Sequence, residues 1–485
     1  MIGLYTAAEV RAAEEPLLAA TPEGTLMQRA ATGLATVCLG LLGRAHGTRV
    51  TALVGAGNNG GDALFAGAHL ARRGARVTAV LLDPERVHVA GLVALRTAGG
   101  RVTGPEGPTG LDRADLVLDG IVGIGGRGGL RPPAAALVER AATGPGLTVA
   151  VDVPSGVDAD TGAVPGTAFP AQHTVTFGAL KTGLVVGEGR GYAGTVHLVD
   201  IGLDPPSAGT HQLTDVDVAA RIRPPGSDDD KYTQGVVGVV AGSATYPGAA
   251  VLCTGAALRT RPGLVRYAGT AAAGVRAAWP EALVTEGRPS DAGRVQAWVV
   301  GPGMGTDDDA RSVLAEVLAT DLPVLVDADA LTMAAQDPDL VRRRSAPTVL
   351  TPHDREYARF GSEVGPDRVG AARRLAADLG AVVLLKGDAT VVAAPGGTAY
   401  VNGTGTPWLA TAGTGDVLSG ITGALLATGL PADEAAAVAA HVHGRAGQLA
   451  AEEGPLIAGD LVRRLPATLA RLQRAPVGRL GDSGA

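Results

Sequence analysis

The stretch RVTALVGAGNNGGDALFAGAHLARRGARVTAVLLD, residues 49–83, contains two apolar runs separated by a glycine-rich turn and a helical segment. This order is typical of two parallel β-strands joined by a helix. Gly55, Gly57 and Gly60 have the spacing G-x-G-x-x-G, and Asp83 closes the second run. The pattern therefore predicts a phosphate-binding turn at a helix N-terminus, and NAD is one candidate ligand.

Three polar residues in this turn are not part of a dinucleotide fingerprint. They are Asn58, Asn59 and Asp62. Amide and carboxylate oxygens are hard donors that suit a monovalent or divalent cation, or the hydroxyl groups of a sugar. The turn therefore predicts a cation or a polar ligand beside the phosphate site. The simpler interpretation is that each residue only caps a helix or a turn.

More oxygen donors stand at the ends of later apolar runs. Asp119 ends the run ADLVLD and leads into a second glycine-rich segment, GIVGIGGRGGL. Asp152 and Ser155 follow another apolar run, in VAVDVPSGVDADTG. Ligands of open α/β sheets bind beyond the carboxyl ends of the strands, so we expect these three side chains in one crevice.

The alternation of strand and helix signals continues along the chain and predicts two α/β domains. The first domain is predicted over 1–215 and the second over 225–475. The segment around 203–230, which is rich in proline and glycine, separates them. Residues 476–485 are predicted to be a disordered, frayed tail.

Local signals predict individual elements. Two capping-box spacings, Thr6 with Glu9 and Thr25 with Gln28, predict two helices at the start of the chain. The segment TVVAAPGGTAYVNGTG predicts a hairpin near the end of the second domain. The strands are predicted at Val50–Val54, Val77–Leu82, Leu116–Asp119, Thr148–Val153, His173–Phe177, Thr195–Leu198, Val236–Ala241, Ala297–Val300, Val324–Asp327, Thr348–Leu350 and Ala381–Lys386.

Composition excludes several classes of protein. The 485 residues are 46% apolar but only 3% aromatic, so the core must consist of Ala, Val and Leu. A net charge of −7 provides no basic face for nucleic acid. Cys38 and Cys253 imply no disulfide framework, and a cytoplasmic location is the default. The apolar run 31–43 is too short to span a membrane, and the sequence predicts neither a membrane segment nor a signal peptide.

The strongest motif of the second half is WLATAGTGDVLSGITGALLATG, residues 408–429. Gly413, Thr414, Gly415 and Asp416 stand directly before an apolar helix. Such a turn directs free N–H groups and the positive end of the helix towards an anion. A carboxylate at this place can take a proton from a hydroxyl group that attacks a phosphoryl group, so Asp416 is the candidate base.

The motifs of the first half also resemble those of a known family. VGAGNNGGD, DGIVGIGGRGG, VDVPSGVDADTG and TVTFGALKTGL together resemble the N-terminal domain of the NAD(P)H-hydrate repair enzymes. The resemblance implies a Rossmann-like three-layer α/β/α domain that epimerises hydrated NADH and NADPH, called NADHX and NADPHX. It implies potassium bound by Asn59, Asp119 and Ser155. The implied nucleotide contacts are Asn58, Asn59, Gly60, Gly61, Asp62, Gly123, Ile124, Gly125, Gly126, Arg127, Gly128, Gly129 and Asp152.

The chemistry of epimerisation favours one of these residues as catalyst. Carbon C6 of the hydrate carries a hydroxyl group beside the ring nitrogen, so the C–O bond can open and close again. A carboxylate that moves a proton to and from this oxygen would accelerate the step, and Asp152 is our candidate. Lys181 is a second possibility, or else a solvated or phosphate-binding lysine. The family usually has Gly where this chain has Ala63, a methyl group that would crowd the loop.

The second half resembles the ribokinase-like small-molecule kinases, and in detail their NAD(P)HX dehydratase branch. The resemblance rests on the motif at 408–429 with VVGPGMGTDD, VLVDADALT, TVLTPHDREYARF and VVLLKGDATVV. It implies ADP or ATP with Mg²⁺, which Glu356 would organise through water. The implied contacts to the hydrate are Ala249 (or its neighbour Ala250), Gly305, His353 and Asp416. The implied contacts to ADP or ATP are Lys386, Gly387, Asp388, Ala389, Thr390 and Gly415.

The sequence thus predicts a fused enzyme that epimerises R- and S-NAD(P)HX and dehydrates the S form through a phosphorylated intermediate. Its predicted partners are small molecules, and a homo-oligomer remains open. One alternative is a ribokinase-type kinase of a vitamin precursor with a nucleotide-sensing domain. A second is an NAD-dependent dehydrogenase, and a third treats the first half as a binding module only.

Overall fold

The computed structural model describes residues 1–260 and 263–474. The chain divides into two compact units between Thr210 and His211, and residues 1–2 belong to the second unit. We call these units the N-terminal and the C-terminal domain. The domain limits 1–215 and 225–475 stay predictions, and the predicted tail 476–485 lies outside the described residues.

The N-terminal domain alternates strands with helices. Its strands are β1 Ile2–Tyr5, β2 Arg49–Val54, β3 Arg76–Leu81, β4 Arg101–Thr103, β5 Leu116–Gly120, β6 Leu147–Val151, β7 His173–Phe177, β8 Leu180–Lys181 and β9 Thr195–Val199. Its helices are α1 Ala7–Ala20, α2 Thr25–Leu42, α3 Asn58–Arg72, α4 Val89–Thr97, α5 Ala134–Thr143 and α6 Gly189–Ala193.

Seven of these strands form a parallel sheet in the order β4-β3-β2-β5-β6-β7-β9. The chain runs outwards from β2 to β4, and then returns to the other side of β2 with β5. The strand order therefore reverses between β2 and β5. In open α/β sheets this is the place where a crevice forms and ligands bind.

Helices cover both faces of this sheet because side chains of a strand point alternately to its two sides. Val50, Ala52 and Val54 of β2 pack in one buried cluster with α2, α3 and α4. Leu53, on the same strand, packs in a second cluster that contains residues of α5. The domain therefore has the three-layer α/β/α architecture that was predicted.

Helix α2 is, within the described residues, the one helix long and apolar enough to cross a membrane by length and composition. The core helix of a globular domain meets the same criterion. Leu26, Leu34 and Cys38 of α2 are buried in the cluster shared with the sheet. The absence of a membrane segment stays a prediction.

The C-terminal domain repeats the alternation with different elements. Its strands are β10 Thr210–Gln212, β11 Val236–Val240, β12 Leu264–Ala268, β13 Leu283–Thr285, β14 Ala297–Val300, β15 Val324–Val326, β16 Thr348–Leu350, β17 Val382–Leu385, β18 Val391–Ala393 and β19 Ala399–Val401. Its helices are α7 Asp215–Arg221, α8 Pro247–Thr260, α9 Ala272–Ala278, α10 Asp308–Leu318, α11 Ala328–Gln336, α12 Asp339–Arg342, α13 Asp354–Ala358, α14 Arg368–Leu379, α15 Thr414–Leu426, α16 Ala432–Ala451 and α17 Ala458–Gln473.

The sheet of this domain contains the order β13-β12-β11-β14-β15-β16-β17-β18-β19. Its pairs are parallel as far as β17, and β17, β18 and β19 pair antiparallel. The order reverses between β11 and β14, as it does between β2 and β5 of the first domain. A second crevice is therefore expected beyond the carboxyl ends of β11 and β14.

The local predictions have mixed outcomes. The capping box of Thr6 and Glu9 is confirmed, because both reciprocal bonds are present. The prediction of a capping box at Thr25 and Gln28 is wrong, since Gly24 with φ 80° is the N-cap and Thr25 already lies inside the helix. The hairpin of β18 and β19 is confirmed. Strands β12 and β13 were not predicted.

Candidate active sites

The first glycine turn positions the start of α3 against the second glycine segment. Gly57 has φ 90° and is the N-cap of α3, so that the helix begins at Asn58. A side chain at Gly55 would collide with the carbonyl oxygen of Ile121, which follows β5. Gly55 thus allows two strand-end turns to pack closely, and Gly57 allows the chain to turn into the helix.

A cleft of about 1880 Å³ opens at the carboxyl ends of β2, β5 and β6. The predicted nucleotide contacts that line it are Asn58, Asn59, Asp62, Gly123, Ile124, Gly125 and Asp152. Gly60 and Gly61 are buried in the first turn of α3. In the described structure Gly126, Arg127, Gly128 and Gly129 do not line this cleft. The structure therefore brings together most, but not all, of the predicted contacts.

Asp152 is held in a strained backbone conformation and by a buried ion pair. Its φ is 68°, which is unusual for a residue other than glycine. Its Oδ1 accepts hydrogen bonds from Lys181 Nζ at 2.7 Å and from Thr176 Oγ1 at 3.2 Å. Lys181 is only 1% exposed, and its Nζ also donates to the carbonyl oxygen of Phe177. The interpretation of Lys181 as a solvated lysine is therefore wrong.

Two of the three predicted potassium ligands, Asp119 and Ser155, contact each other at a buried position. Asp119 is completely buried and accepts hydrogen bonds from the Ser155 backbone N–H at 2.8 Å and hydroxyl at 2.7 Å. Burial raises the pKa of Asp119 to about 6, although the bonds from Ser155 and Ile121 lower it. In the orientation that gives both amide groups of Asn59 a partner, its side-chain N–H donates to the carbonyl oxygen of Val151. Its side-chain oxygen then accepts from the Gly123 backbone N–H.

This position fits a monovalent cation. In the part of the chain that the structure describes, no basic side chain pairs with Asp119, and no group of three or more His, Cys, Asp or Glu side chains could hold a metal ion. One carboxylate with hydroxyl and amide oxygens is a donor set with a single negative charge, which suits a hard cation of low charge. A cation there would stabilise the charged form of Asp119.

Ala63 does not crowd the glycine loop. The residue is fully buried, and its methyl group packs against Gly120 at the end of β5. A Cβ atom at Gly120 would lie 2.5 Å from this methyl group. The absence of a side chain at Gly120 therefore makes the room that Ala63 needs.

In the C-terminal domain, Asp416 lies in the first turn of α15. Gly413 with φ 88° is the N-cap, so the helix begins at Thr414. Burial raises the pKa of Asp416 to about 7, and the charges of Asp327 and Asp329 add to this effect while Lys386 opposes it. A carboxylate with a pKa near neutrality is suited to act as a general base at physiological pH.

Lys386 is fixed by a network of buried carboxylates. Its Nζ lies 2.9 Å from Asp327 Oδ1 and 3.4 Å from Glu356 Oε2. The other oxygen of Asp327 accepts a hydrogen bond from Ser419 Oγ at 2.7 Å. Burial alone lowers the pKa of Lys386, but the charges of Asp327 and Glu356 raise it above its usual value. The ammonium group therefore stays charged beside Gly415, where a phosphate would approach the helix.

His353 has a structural role at the start of α13, and its predicted contact with the hydrate stays a prediction. Its Nδ1 accepts hydrogen bonds from the backbone N–H groups of Arg355 and Glu356, at 3.1 and 3.2 Å. In return, the Glu356 carboxylate accepts from the backbone N–H of His353 at 2.9 Å, which completes a capping box for α13. The imidazole is half exposed. Because Nδ1 accepts two hydrogen bonds, the neutral ring carries its proton on Nε2.

The remaining predicted contacts differ in how they meet the site. A side chain at position 305 would point into open space, so the backbone of Gly305 is accessible to a ligand. The Gly305 N–H donates to Asp329 Oδ2 at 2.9 Å. Ala249 is partly exposed at the start of α8, whereas Ala250 is fully buried, which favours Ala249 as the contact.

The segment that follows Lys386 turns partly inwards. Gly387 and Asp388 are exposed, whereas the side chains of Ala389 and Thr390 are buried. Ala389 and Thr390 could therefore meet a nucleotide only through their backbone.

Several residues that shape the two sites were not assigned from sequence. Asp327 and Asp329 belong to the motif VLVDADALT, so their strand-end position was a usable signal. Ser419 and Thr176 carry no such signal, because each acts only through its contact with a charged residue. Glu14, on helix α1, also lines the first cleft.

Two family models match the chain, one in each domain. Residues 23–183 match the model described as YjeF-related protein N-terminus. Residues 237–469 match the model described as NAD(P)H-hydrate dehydratase. The matches cover the cleft-lining turns after β2, β5 and β6 in the first domain, and the turns that carry His353, Lys386 and Asp416 in the second.

Relatives and a solved structure agree with this division. The chain is 56% identical over 457 residues to the bifunctional NAD(P)H-hydrate repair enzyme Nnr of Mycobacterium leprae (strain TN), covering 93% of this chain and 95% of that one. The enzyme of the same name from Mycobacterium tuberculosis (strain ATCC 25618 / H37Rv) is 55% identical, with coverages of 89% and 91%. A ribokinase-like superfamily protein of Enterococcus faecalis V583 is 26% identical with a TM-score of 0.50, covering 56% of this chain and 99% of that one. The predicted ribokinase-like fold is confirmed, and the chain belongs to the family of bifunctional NAD(P)H-hydrate repair enzymes.

Proposed function

We propose that the protein repairs hydrated NADH and NADPH with two active sites. The N-terminal domain interconverts R- and S-NAD(P)HX, and the C-terminal domain dehydrates the S form with consumption of ADP or ATP. The observation that carries this proposal is that each crevice holds one carboxylate suited to proton transfer beside a fixed lysine. These pairs are Asp152 with Lys181, and Asp416 with Lys386.

In the first site, Asp152 exchanges a proton with the C6 hydroxyl group while the ring nitrogen assists opening of the C–O bond. Among the described residues, Lys181 and Thr176 both donate to Oδ1 of Asp152, and no hydrogen bond to its Oδ2 is formed. Its Oδ2 faces Gly123 of the second glycine segment, since a Cβ atom on that glycine would lie 3.4 Å away. The ion pair therefore orients the carboxylate and leaves one oxygen available for the substrate.

The potassium ion implied by the family would be held by Asn59, Asp119 and Ser155. When bound, it supplies a positive charge close to the nucleotide site. The residues themselves keep Asp119 buried and connect the turns that follow β5 and β6, because Ser155 Oγ also accepts from the Val122 N–H at 2.9 Å.

In the second site, Asp416 takes the proton of the C6 hydroxyl group of the S hydrate. The resulting oxygen attacks the terminal phosphoryl group of ADP or ATP, and AMP or ADP leaves. The C6–O bond of the phosphate ester then breaks, inorganic phosphate leaves with the oxygen, and loss of the C5 proton to solvent restores the C5=C6 double bond. The elimination is faster by this route because phosphate is a better leaving group than hydroxide.

The surroundings of Asp416 fit the phosphoryl transfer. The N-terminus of α15 and the Lys386 ammonium group provide positive potential for phosphate oxygens. Mg²⁺, organised by Glu356 through water, would neutralise charge on the nucleotide when bound. Asp327 holds the lysine in place, and His353 and Gly305 would contact the hydrate.

We further propose ADP as the usual phosphoryl donor, with ATP as the alternative, and a cytoplasmic location. The location is supported by the two cysteines, Cys38 and Cys253, which are both free and buried. The proposed partners are NADHX, NADPHX and ADP or ATP.

The test uses purified protein and an equilibrated mixture of the NADHX epimers, with and without ADP and Mg²⁺. Recovery of the near-ultraviolet absorbance of NADH and release of phosphate are followed together. Complete recovery is expected only with ADP or ATP. Asp152→Asn should recover the S fraction only, whereas Asp416→Asn should recover nothing. Accumulation of a stable phosphorylated vitamin or sugar, without recovery of NADH, would instead favour the small-molecule kinase.

A further inference from the structure

One carboxyl group of the N-terminal cleft has an oxygen without a partner among the described residues. Asp62 lies on the first turns of α3 and lines the cleft. Its Oδ1 is buried and makes no hydrogen bond there. An unpaired buried polar atom destabilises the folded chain, so such a group in a native structure calls for a specific explanation. Among residues 1–260 and 263–474, Asp62 neither caps a helix nor forms an ion pair.

The charges around Asp62 are unfavourable for a second negative charge. Asp152 and Glu14 face it from the turn after β6 and from α1, and Lys181 is already bound to Asp152. Burial and these two carboxylates hold the pKa of Asp62 well above its usual range. The Asp62 carboxyl forms no hydrogen bond with the predicted potassium ligands in the described structure. Burial and these neighbouring carboxylates therefore favour the protonated form of Asp62, which lies near the ion pair of Asp152 and Lys181.

We propose that Asp62 is a second catalytic residue of epimerisation, the acid that works with Asp152 as base. This inference rests on the proposed epimerase function. Asp62 and Asp152 approach the cleft from different elements, α3 and the end of β6, so two groups can serve one stereocentre. Asp152 is paired with a lysine, whereas the buried Oδ1 of Asp62 has no partner among the described residues, and such a difference in environment is the usual arrangement for paired acid and base.

Loss and return of water at C6 conserve atoms and charge. Asp62 donates its proton to the C6 hydroxyl oxygen, the C6–O bond breaks, and water leaves. The lone pair of the ring nitrogen forms a C6=N double bond. Water adds to the other face of C6, and Asp152 takes one of its protons. Transfer of a proton from Asp152 to Asp62 through solvent restores the starting state, and the reverse reaction exchanges the two roles.

Glu14 is the competing carboxyl group of the same cleft. Burial raises its pKa, as does the charge of Asp152, while Lys181 and Arg11 lower it. Both side chains are partly buried, but Glu14 belongs to helix α1 outside the glycine turn, and the buried oxygen without a partner among the described residues is that of Asp62. Asp62 is instead held within three residues of Asn59 on the helix that begins at the turn. The geometry thus favours Asp62 as the acid and leaves Glu14 as a matched control.

The experiment measures conversion of R- to S-NADHX by the full-length protein without ADP, with chromatographic separation of the epimers. R-NADHX is prepared by exhaustive dehydration of the S form with the Asp152→Asn variant. For Asp62→Asn, kcat is expected to fall by about 10²–10³-fold with KM changed less than about threefold. Glu14→Gln should lower kcat by less than about fivefold, because Glu14 donates no proton in this mechanism. Asp62→Ser should show the same loss of kcat. This second variant separates the loss of the carboxyl group from a disturbance of the fold by the asparagine side chain.

Thermal unfolding of each variant, followed by circular dichroism and compared with the wild type, serves as the folding control for the N-terminal domain, because dehydration reports only on the C-terminal domain. A kcat of Asp62→Asn and Asp62→Ser within about threefold of the wild type would overturn the inference, as would a change in KM alone, which indicates binding. A larger loss in Glu14→Gln would transfer the role to that residue and overturn it as well. If the wild-type protein itself does not convert R-NADHX, the proposed epimerase function fails instead, so the two failures are distinguishable.

Discussion

Each of the two sites contains an ion pair between an aspartate and a lysine, but the more buried member is the lysine in one pair and the aspartate in the other. In the N-terminal domain Lys181 is 1% exposed, and the side chain of its partner Asp152 is 12% exposed. In the C-terminal domain Asp327 is 2% exposed, and the side chain of its partner Lys386 is 20% exposed. The group presented to the ligand is therefore a carboxylate in the first crevice and an ammonium group in the second.

This difference matches the chemistry of the two reactions. An epimerase needs a carboxylate with a fixed orientation to move a proton, and the buried ammonium group of Lys181 provides that orientation. A phosphoryl-transfer site needs a fixed positive charge, and the buried carboxylate of Asp327 holds Lys386 for this purpose. The same pair of residue types thus gives two functions, because burial decides which member stays available.

Both pairs also lie at a strained backbone position. Asp152 itself has φ 68°, and Ala328, directly after Asp327, has φ 50°. Conformations of this kind cost about 1–3 kcal/mol in residues other than glycine, and they persist where the surrounding structure holds them. The strand-end turns of both crevices are therefore shaped for the orientation of the aspartate at some cost in stability.

The largest expected effect tests the division of labour between the sites. Asp416→Asn should lower kcat of ADP-dependent dehydration of S-NADHX by at least about 10³-fold, because the variant has no base at the helix N-terminus. Epimerisation by the same protein should be unchanged, as measured from the ratio of R- to S-NADHX. Asp329→Asn, which alters a neighbouring carboxylate, should reduce dehydration by less than about tenfold. Equal losses in both variants would mean that Asp416 acts only through the local charge.

The next effect tests the buried lysine of the first site. Lys181→Met leaves Asp152 without its ion-pair partner in a buried position. We expect a loss of about 10²-fold in epimerisation and a decrease of about 3–5 kcal/mol in the free energy of unfolding of the N-terminal domain. Denaturant unfolding and the R-to-S assay measure these effects. Lys386→Met should have the opposite pattern. The KM of dehydration for ADP should rise, and epimerisation should be retained. A fully active Lys181→Met protein would contradict the comparison.

A smaller effect concerns the pH dependence of the second site. The pKa of Asp416 is raised to about 7, and the base must be charged to act. The value of kcat/KM for dehydration should therefore be constant above pH 7 and fall about tenfold for each pH unit below it. Asp327→Asn should move the midpoint to lower pH, since the charge of Asp327 contributes to the raised pKa. A midpoint that stays in place in this variant would show that burial alone sets it.

The smallest expected effect concerns the cation position of the first domain. Asp119→Asn removes the only carboxylate among the predicted potassium ligands, so epimerisation should lose its dependence on K⁺. The rate is measured in K⁺ and in a large organic cation at equal ionic strength. Wild-type protein should be several-fold faster in K⁺, whereas the variant should be equally slow in both. Thermal unfolding of the same samples reports whether the N-terminal domain of the variant is folded, and a variant that still responds to K⁺ would place the cation elsewhere.

Much of the fold could be predicted from sequence because its signals are local. Strands His173–Phe177, Ala297–Val300 and Thr348–Leu350 have the predicted limits, since each is a buried apolar run bounded by turn residues. Strands β12 and β13 were missed. Leu264–Ala268 contains Arg266, which interrupts the apolar run, and its strand conformation depends on pairing with β11. The capping box at Thr25 failed because Gly24 supplies the left-handed turn at that helix start.

The candidate sites were predictable in position but not in their electrostatics. Polar residues after apolar strands indicated Asp119 and Asp152, because parallel strands bring their carboxyl ends to one edge, and the glycine turn before a helix indicated Asp416. The burial of Lys181 and the unpaired Oδ1 of Asp62 had no counterpart in the sequence pattern. Both depend on which side chains pack above the turn, and those come from separate elements.

The sequence by itself determined that there are two crevices and which turns form them. Glycine spacing and the alternation of strand and helix act over a few residues, so they can be read along the chain. Only the tertiary structure decided which acid is neutral, which is charged and which lysine is buried. Ser419 and Lys386 reach Asp327 across 92 and 59 residues. Desolvation and neighbouring charge act through space, and they set the protonation states on which both reactions depend.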